Sequence, residues 1–225
     1  MTGQALRRAR TDKGMTQVAA AARLGVSQTL LSLMEKGERS VTPAVARKAV
    51  KLLNAPPEQL PVSQETSHSD YQLAADFGAL GYPGYSYLQS RPRNPAEVLF
   101  DALNRPDLDA RLVEALPWLP LQYSNMDWNW LVTQAKVHNR QNRLGFVVAL
   151  STKVASRLAQ QDVAKRLSQV VKMLEEARLA KTDTLCQESW PPSQRRFAHK
   201  QRSVLAAYWK LDTRLTENDL AYDAA

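Results

Sequence analysis

The sequence predicts an all-α chain, with an N-terminal five-helix helix-turn-helix domain followed by a C-terminal helical domain. Three observations predict it. Apolar residues recur three and four apart rather than in strict alternation. Glycine is scarce, at 8 of 225 residues. Short apolar stretches carry Ser or Thr in front and Gly behind, the punctuation of helices. Hydrophobic residues at 44% and charged residues at 23% suit a folded chain, and one of this length buries a core without metal or disulfide staples.

Composition also excludes several classes. Cys186 is the single cysteine, so no intramolecular disulfide forms and a cysteine-based zinc site is disfavoured. The apolar run Phe146–Leu150 stops at five residues, against the roughly 20 of a membrane helix. No apolar stretch of a secretory signal opens the chain, so a cytoplasmic protein is expected. The net charge of +8 is unevenly spread. Residues 1–60 hold ten basic and four acidic side chains, residues 61–115 four and eight, and residues 116–225 sixteen and ten. A basic N-terminal part suggests a polyanionic partner.

Taken in order, four or five short helices fit residues 3–60. Residues 61–75 read as a linker, because Pro, Ser and Gln dominate between Ala55 and Asp70. Residues 76–225 form the second domain. It opens on the Tyr/Pro/Gly turn Leu80–Tyr87, then a helix with Pro95 at its first position that Asn94 can cap, running to about Leu103. Another helix is expected over about Asp107–Leu116. Val147, Leu150, Val154 and Leu158, then Val163, Leu167, Val170, Leu174 and Ala177, predict a helical hairpin broken near Gln160–Asp162. These stripes fill the domain's own core or form a dimer seam. A last helix over Ser193–Leu211 would turn Phe197, Leu205, Tyr208 and Leu211 inward. No repeat of solenoid length occurs.

The informative stretch is Thr16–Gly37. Thr16 can cap a helix from Gln17, and Gly25 can end it in a left-handed conformation after Leu24. Ser27 can cap a second helix from Gln28 to about Lys36, which Gly37 ends. Small Ala21 permits a close crossing, and Ala20, Leu24, Val26, Leu31 and Met34 supply its apolar contacts. Two short helices around a tight glycine turn make a helix-turn-helix. Gln28, Thr29, Ser32 and Lys36 share one polar side of the second helix, opposite Leu31 and Met34.

In the ordered set Thr16-Gln17, Ala21, Gly25-Val26-Ser27-Gln28 and Glu35-Lys36-Gly37, the chain resembles the Cro/cI-like (Xre) family of DNA-binding domains. The resemblance covers about Gln4–Leu60, including Leu6, Arg10, Gly14 and the helix around Val45–Leu53. It implies that Gln28, Thr29 and then Ser32 contact bases of double-stranded operator DNA in the major groove. Leu33 either touches a thymine methyl or flanks the groove. Gln17 would meet a phosphate at a helix N-terminus, with Lys36, Arg39 and Lys13 neutralising backbone charge. Arg10 and Glu35 match an internal ion pair, and a homodimer on inverted half-sites is implied.

No catalytic set stands out. His68, His138 and His199 lack metal-ligand spacing, and no phosphate loop occurs, so neither enzyme activity nor a cofactor or metal is expected. Trp118, Trp128 and Trp130 precede the polar run His138–Arg143, with Arg140 and Arg143 inside it. This combination marks either a packed core with a solvated face or a partner surface carrying Trp128, Trp130, Arg140 and Arg143. The stretch Leu116–Leu150, with Trp128-Asn-Trp-Leu and Gln141–Phe146, resembles the companion domain of Xre-type antitoxins paired with nucleotidyltransferase toxins. That resemblance implies a bacterial, nucleoid-associated repressor that neutralises a cognate toxin, with Asp101, Asp107 and Asp109 as candidate toxin contacts. Two alternatives stay open: a phage or host regulator whose C-terminal domain only dimerises or senses a ligand, and an interaction module that no longer binds DNA.

Overall fold

The computed structural model describes residues 1–63 and 69–220, and within them the chain is all-α apart from one two-residue parallel strand pair. His68 and residues 64–67 of the expected linker lie outside the described residues. The chain forms two compact units, residues 1–65 with 75–95, and residues 66–74 with 96–225.

In the first unit α1 (Gly3–Asp12), α2 (Gln17–Leu24), α3 (Gln28–Lys36) and α4 (Pro43–Leu53) are followed by a 3-10 turn at Pro57–Gln59. Thr2, Thr16, Ser27 and Thr42 each accept a backbone N–H of the first turn, and this sets all four starting points. Leu6, Ala20, Leu24, Leu31, Met34, Ala49 and Leu53 close into one core, with Val26 packed at its edge.

α5 (Asp70–Ala79) begins inside the span expected as linker. Ser69 Oγ accepts the Gln72 N–H at its start, and Leu73, Ala74 and Ala75 are buried, so residues 70–75 behave as helix. Residues 76–95 were expected in the second domain, and Ala75 in the linker, but all of them pack in the first unit. Asn94 donates its amide to the carbonyls of Leu60 (2.7 Å) and Glu58 (3.3 Å), and buried Asp76 accepts Ser90 Oγ (2.7 Å) and Arg93 Nη1 (2.9 Å).

The second unit holds α6 (Pro95–Asn104), α7 (Ala110–Ala115), α8 (Trp118–Gln122), α9 (Trp128–Val137), α10 (Gln141–Arg157) and α11 (Gln161–Glu175). After these come β1 (Asp183–Thr184), α12 (Pro192–Gln201), α13 (Val204–Tyr208) and β2 (Leu211–Asp212). α10 is the central helix, buried without interruption from Gln141 to Ser151 and packed by α8, α9, α11 and α13. Gly145 faces the rings of fully buried Trp209, and a Cβ at that position would collide with them. The expected hairpin is α10 with α11, broken at Ala159, whose φ is +58°. Buried Ala164, Leu167, Val170 and Leu174 face the unit's own core.

Two expectations are corrected here. The last helix is split at Arg202–Ser203, where Ser203 caps α13 by accepting the Ala206 N–H (3.1 Å). The split leaves Phe197 and Tyr208 exposed and puts Trp209 inside instead, while Leu211 is buried as expected. The polar run His138–Arg143 is not one solvated face, since His138 and Asn139 are exposed but Gln141, Asn142 and Arg143, the first residues of α10, are all buried.

Arg143 is fully enclosed yet loses no hydrogen bond. Its Nε and Nη2 hold Asp183 (2.8 and 3.0 Å), Nη2 also meets Glu188 Oε1 (2.7 Å), and Nη1 serves the carbonyls of Leu103 (3.0 Å) and Arg105 (2.9 Å). All five guanidinium N–H groups are thereby used. Burial opposes the charge, but Asp183, then Glu188, more than offset it, so Arg143 stays protonated and the Asp183 carboxyl is held below its ordinary range. Arg143→Met is expected to destabilise the unit by about 3 kcal/mol, the lower end for breaking a buried pair because Asp183 and Glu188 retain some water. Denaturant unfolding followed by tryptophan fluorescence measures it, and Arg143→Lys recovers part of the loss.

Candidate nucleic-acid interface

The helix-turn-helix is built by local rules. α2 ends at Gly25 in the left-handed region (φ +71°), with the Val26 N–H reaching the Ala21 carbonyl (3.0 Å) in a Schellman closure. A residue with a Cβ is strained there. Ser27 then accepts the Leu30 N–H (3.1 Å) and starts α3 within two residues of the turn. The Lys48 ammonium from α4 donates to the Leu24 carbonyl (2.7 Å), a second closure of α2 that the sequence did not disclose. With both ends fixed, Leu31 and Met34 pack inward and the opposite side of α3 faces solvent.

On that outer side Gln28 and Thr29 are exposed, Ser32 and Leu33 are half-buried, and Lys36 and Arg39 are exposed at and beyond the helix end. Lys13 is exposed as well, and Gln17 is half-buried at the start of α2. Val18 beside it exposes an apolar side chain. Being two residues from inward Ala20, it cannot share the packed face, and that spacing was the available signal.

Four side chains form one connected chain beneath this surface. Arg10 Nε and Nη2 hold the Glu35 carboxylate at 2.6 and 2.9 Å, and Arg10 Nη1 donates to the Met15 carbonyl (2.8 Å). The Gln17 amide donates to Glu35 Oε2 (2.9 Å), and Gln17 Oε1 accepts the Gln28 amide (3.2 Å). The expected pair Arg10–Glu35 therefore does more than clamp α1 to α3, because it orients Gln17 and through it Gln28. Glu35 is buried, its side chain 2% exposed. Burial pushes its carboxyl up, but the hydrogen bonds from Arg10 and Gln17 and the Arg10 charge hold it below the ordinary range.

The candidate partner surface of the second unit is not assembled. Arg143 is internal, as described. Arg140 is partly buried, 3.3 Å from Glu188. Trp128 and Trp130 are both half-buried. Trp128 Nε1 donates to the Ser124 carbonyl (2.9 Å), and Trp130 meets the Phe100 ring edge-on at 5.8 Å. Asp109 caps α7, and Asp107 accepts the Ser189 N–H and hydroxyl (2.9 and 2.8 Å), so both serve the fold. Cys186 is buried, its thiol pushed up to about 11 by desolvation, and among the described residues no cluster of His, Cys, Asp and Glu could hold a metal ion.

Comparison with known families finds a helix-turn-helix domain over residues 3–62, which spans the first four helices and the following turn. Comparisons with curated proteins and with solved structures gave no match. Residues 3–62 thus carry a helix-turn-helix domain of the DNA-binding type, and no described helix is long and apolar enough to cross a membrane.

Because the Glu35 pKa is depressed in the fold, the stability it contributes is fully present above the ordinary Glu value of about 4.3 and is lost as pH falls through the lower folded value. Arg10→Met is expected to cost about 3–5 kcal/mol at neutral pH by stranding Glu35, and to reverse that acid dependence, because burial without the guanidinium pushes the carboxyl up and protonation then relieves the fold. Amide exchange in α1 and α3 across pH measures both.

Proposed function

We propose that the chain is a sequence-specific, DNA-binding transcriptional repressor. The observation that carries this reading is the outer side of α3, where Gln28 and Thr29 stand free of the core with Gln28 oriented by Gln17. In the major groove an amide side chain pairs bidentately with adenine, and Thr29 and Ser32 add hydroxyl contacts. Leu33 offers methyl groups to thymine. The α2 N-terminus with Gln17 meets a phosphate, while Lys36, Arg39 and Lys13 neutralise others. Two copies on inverted half-sites about one helical turn apart give the symmetric arrangement usual for this motif. In this reading residues 1–60 bind DNA, and the second unit is the interaction domain of a cytoplasmic, nucleoid-associated protein.

The narrower antitoxin reading rests on the resemblance of Leu116–Leu150. It receives less support from the side chains, because Arg143 is internal and Trp128 and Trp130 are half-buried. A toxin encoded next to this chain is expected to co-purify with it if the reading holds, and a chain that purifies alone on co-expression removes it.

Duplex DNA from upstream of the chain's own coding sequence tests the main reading in a competition mobility shift. Wild type is expected to prefer that duplex over a scrambled one, and Gln28→Ala with Thr29→Ala to lower the preference about tenfold or more. An unchanged preference in a variant with native circular dichroism overturns the assignment of these readers.

A further inference from the structure

We infer that α12 presents a second DNA-backbone contact, in the unit that lacks the helix-turn-helix, through Arg196 and Lys200. The inference rests on the reading of the N-terminal domain as a binder of duplex DNA. Between Glu188 and Asp212 the chain has no carboxylate, yet it carries Arg195, Arg196, Lys200, Arg202 and Lys210. Of the ten residues of α12 only Ala198 is buried, so this is a helix laid on the surface with nearly all of its circumference in water. Such a helix normally gains stability from opposite charges at i, i+4. α12 does the reverse. Arg196 and Lys200 stand four apart, both exposed, and among the described residues no carboxylate pairs with either.

The other basic side chains on α12 and just after it are satisfied internally, and that contrast isolates these two. Arg195 Nη2 donates to the Glu188 carbonyl (2.7 Å), and Asp212 takes His199 (2.7 Å) and Arg202 (3.2 Å). Beside the open pair Phe197 is 49% exposed, with the Arg214 guanidinium over its ring at 5.5 Å, which adds a third outward charge. Three cations around an exposed, carboxylate-free helix suit a rigid line of phosphates, whose charges relieve the repulsion between Arg196 and Lys200. Duplex DNA is the occupant favoured because the same chain already delivers a DNA-binding domain. Once that domain is bound, the tethered α12 meets DNA at a high effective concentration, so weak contacts add measurably to affinity.

The test uses the full chain and a fluorescein-labelled duplex of the upstream DNA, with anisotropy followed across salt. R196Q/K200Q is expected to bind about tenfold more weakly at low salt, with the slope of log affinity against log salt reduced by about 1.8, two phosphate contacts at about 0.9 each. Its preference for upstream over scrambled duplex should be unchanged. The charge reversal R196E/K200E should weaken binding further. Affinity and slope equal to wild type in both variants overturn the proposal. So does a loss confined to vesicles of phosphatidylserine and phosphatidylcholine, which would make α12 a membrane-facing surface. Failure of the helix-turn-helix reading looks different: binding then ignores Gln28→Ala with Thr29→Ala while remaining sensitive to R196Q/K200Q.

Discussion

A guanidinium drawn out of water has to find acceptors, and each unit of this chain is closed around one that does, Arg143 with all five N–H groups and Arg10 with three hydrogen bonds. In the first unit Arg10 fastens α1 to the Glu35 carboxylate on α3 and to the carbonyl of Met15 ahead of α2. In the second, Arg143 at the head of α10 gathers the end of α6, β1 and the segment before α12. Hydrophobic burial supplies the bulk of the driving force in both. It is non-directional, however, and does not choose which loop meets which helix. The two arginines do, because any other arrangement leaves charge unpaired in a low-dielectric interior.

The same constraint carries through to function. In the proposed reading α3 meets bases only with its polar side held at a fixed rotation, and that rotation is set from behind. Met34 and Leu31 fill the core, Glu35 is gripped by Arg10, and Gln17 passes the orientation on to Gln28. The long, flexible Gln28 amide, which would otherwise sample many rotamers, is partly ordered ahead of the proposed DNA contact. Less conformational entropy is then lost on binding.

How much of this was legible in the sequence depends on the distance over which each interaction acts. The caps at Thr16, Ser27, Gly25 and Gly37 act over three or four residues, so they could be read directly, and with them the polar and packed sides of α3. Arg10 and Glu35 were found through a family resemblance; their spacing of 25 residues carries no local signal. Arg143 was misread because its acceptors lie 40 and 45 residues further on, and a run of six polar residues looks like solvated surface until they are seen. Two other differences were readable and outweighed. Ser69 in front of Leu73 and Phe77 is a helix start, hidden by a linker-like composition, and Ser203 is a cap in the middle of what reads as one long amphipathic stretch.

The burial of Cys186 has a practical corollary. The chain's one sulfhydryl is enclosed between the carbonyls of Ala102 and Leu103 and the Arg143 guanidinium, and its raised pKa leaves almost no thiolate at neutral pH. A cysteine engineered at any solvent-facing site is therefore the position a maleimide dye finds first. The native thiol stays unlabelled, so a pair of fluorophores can report the distance between the two units without first removing the natural residue.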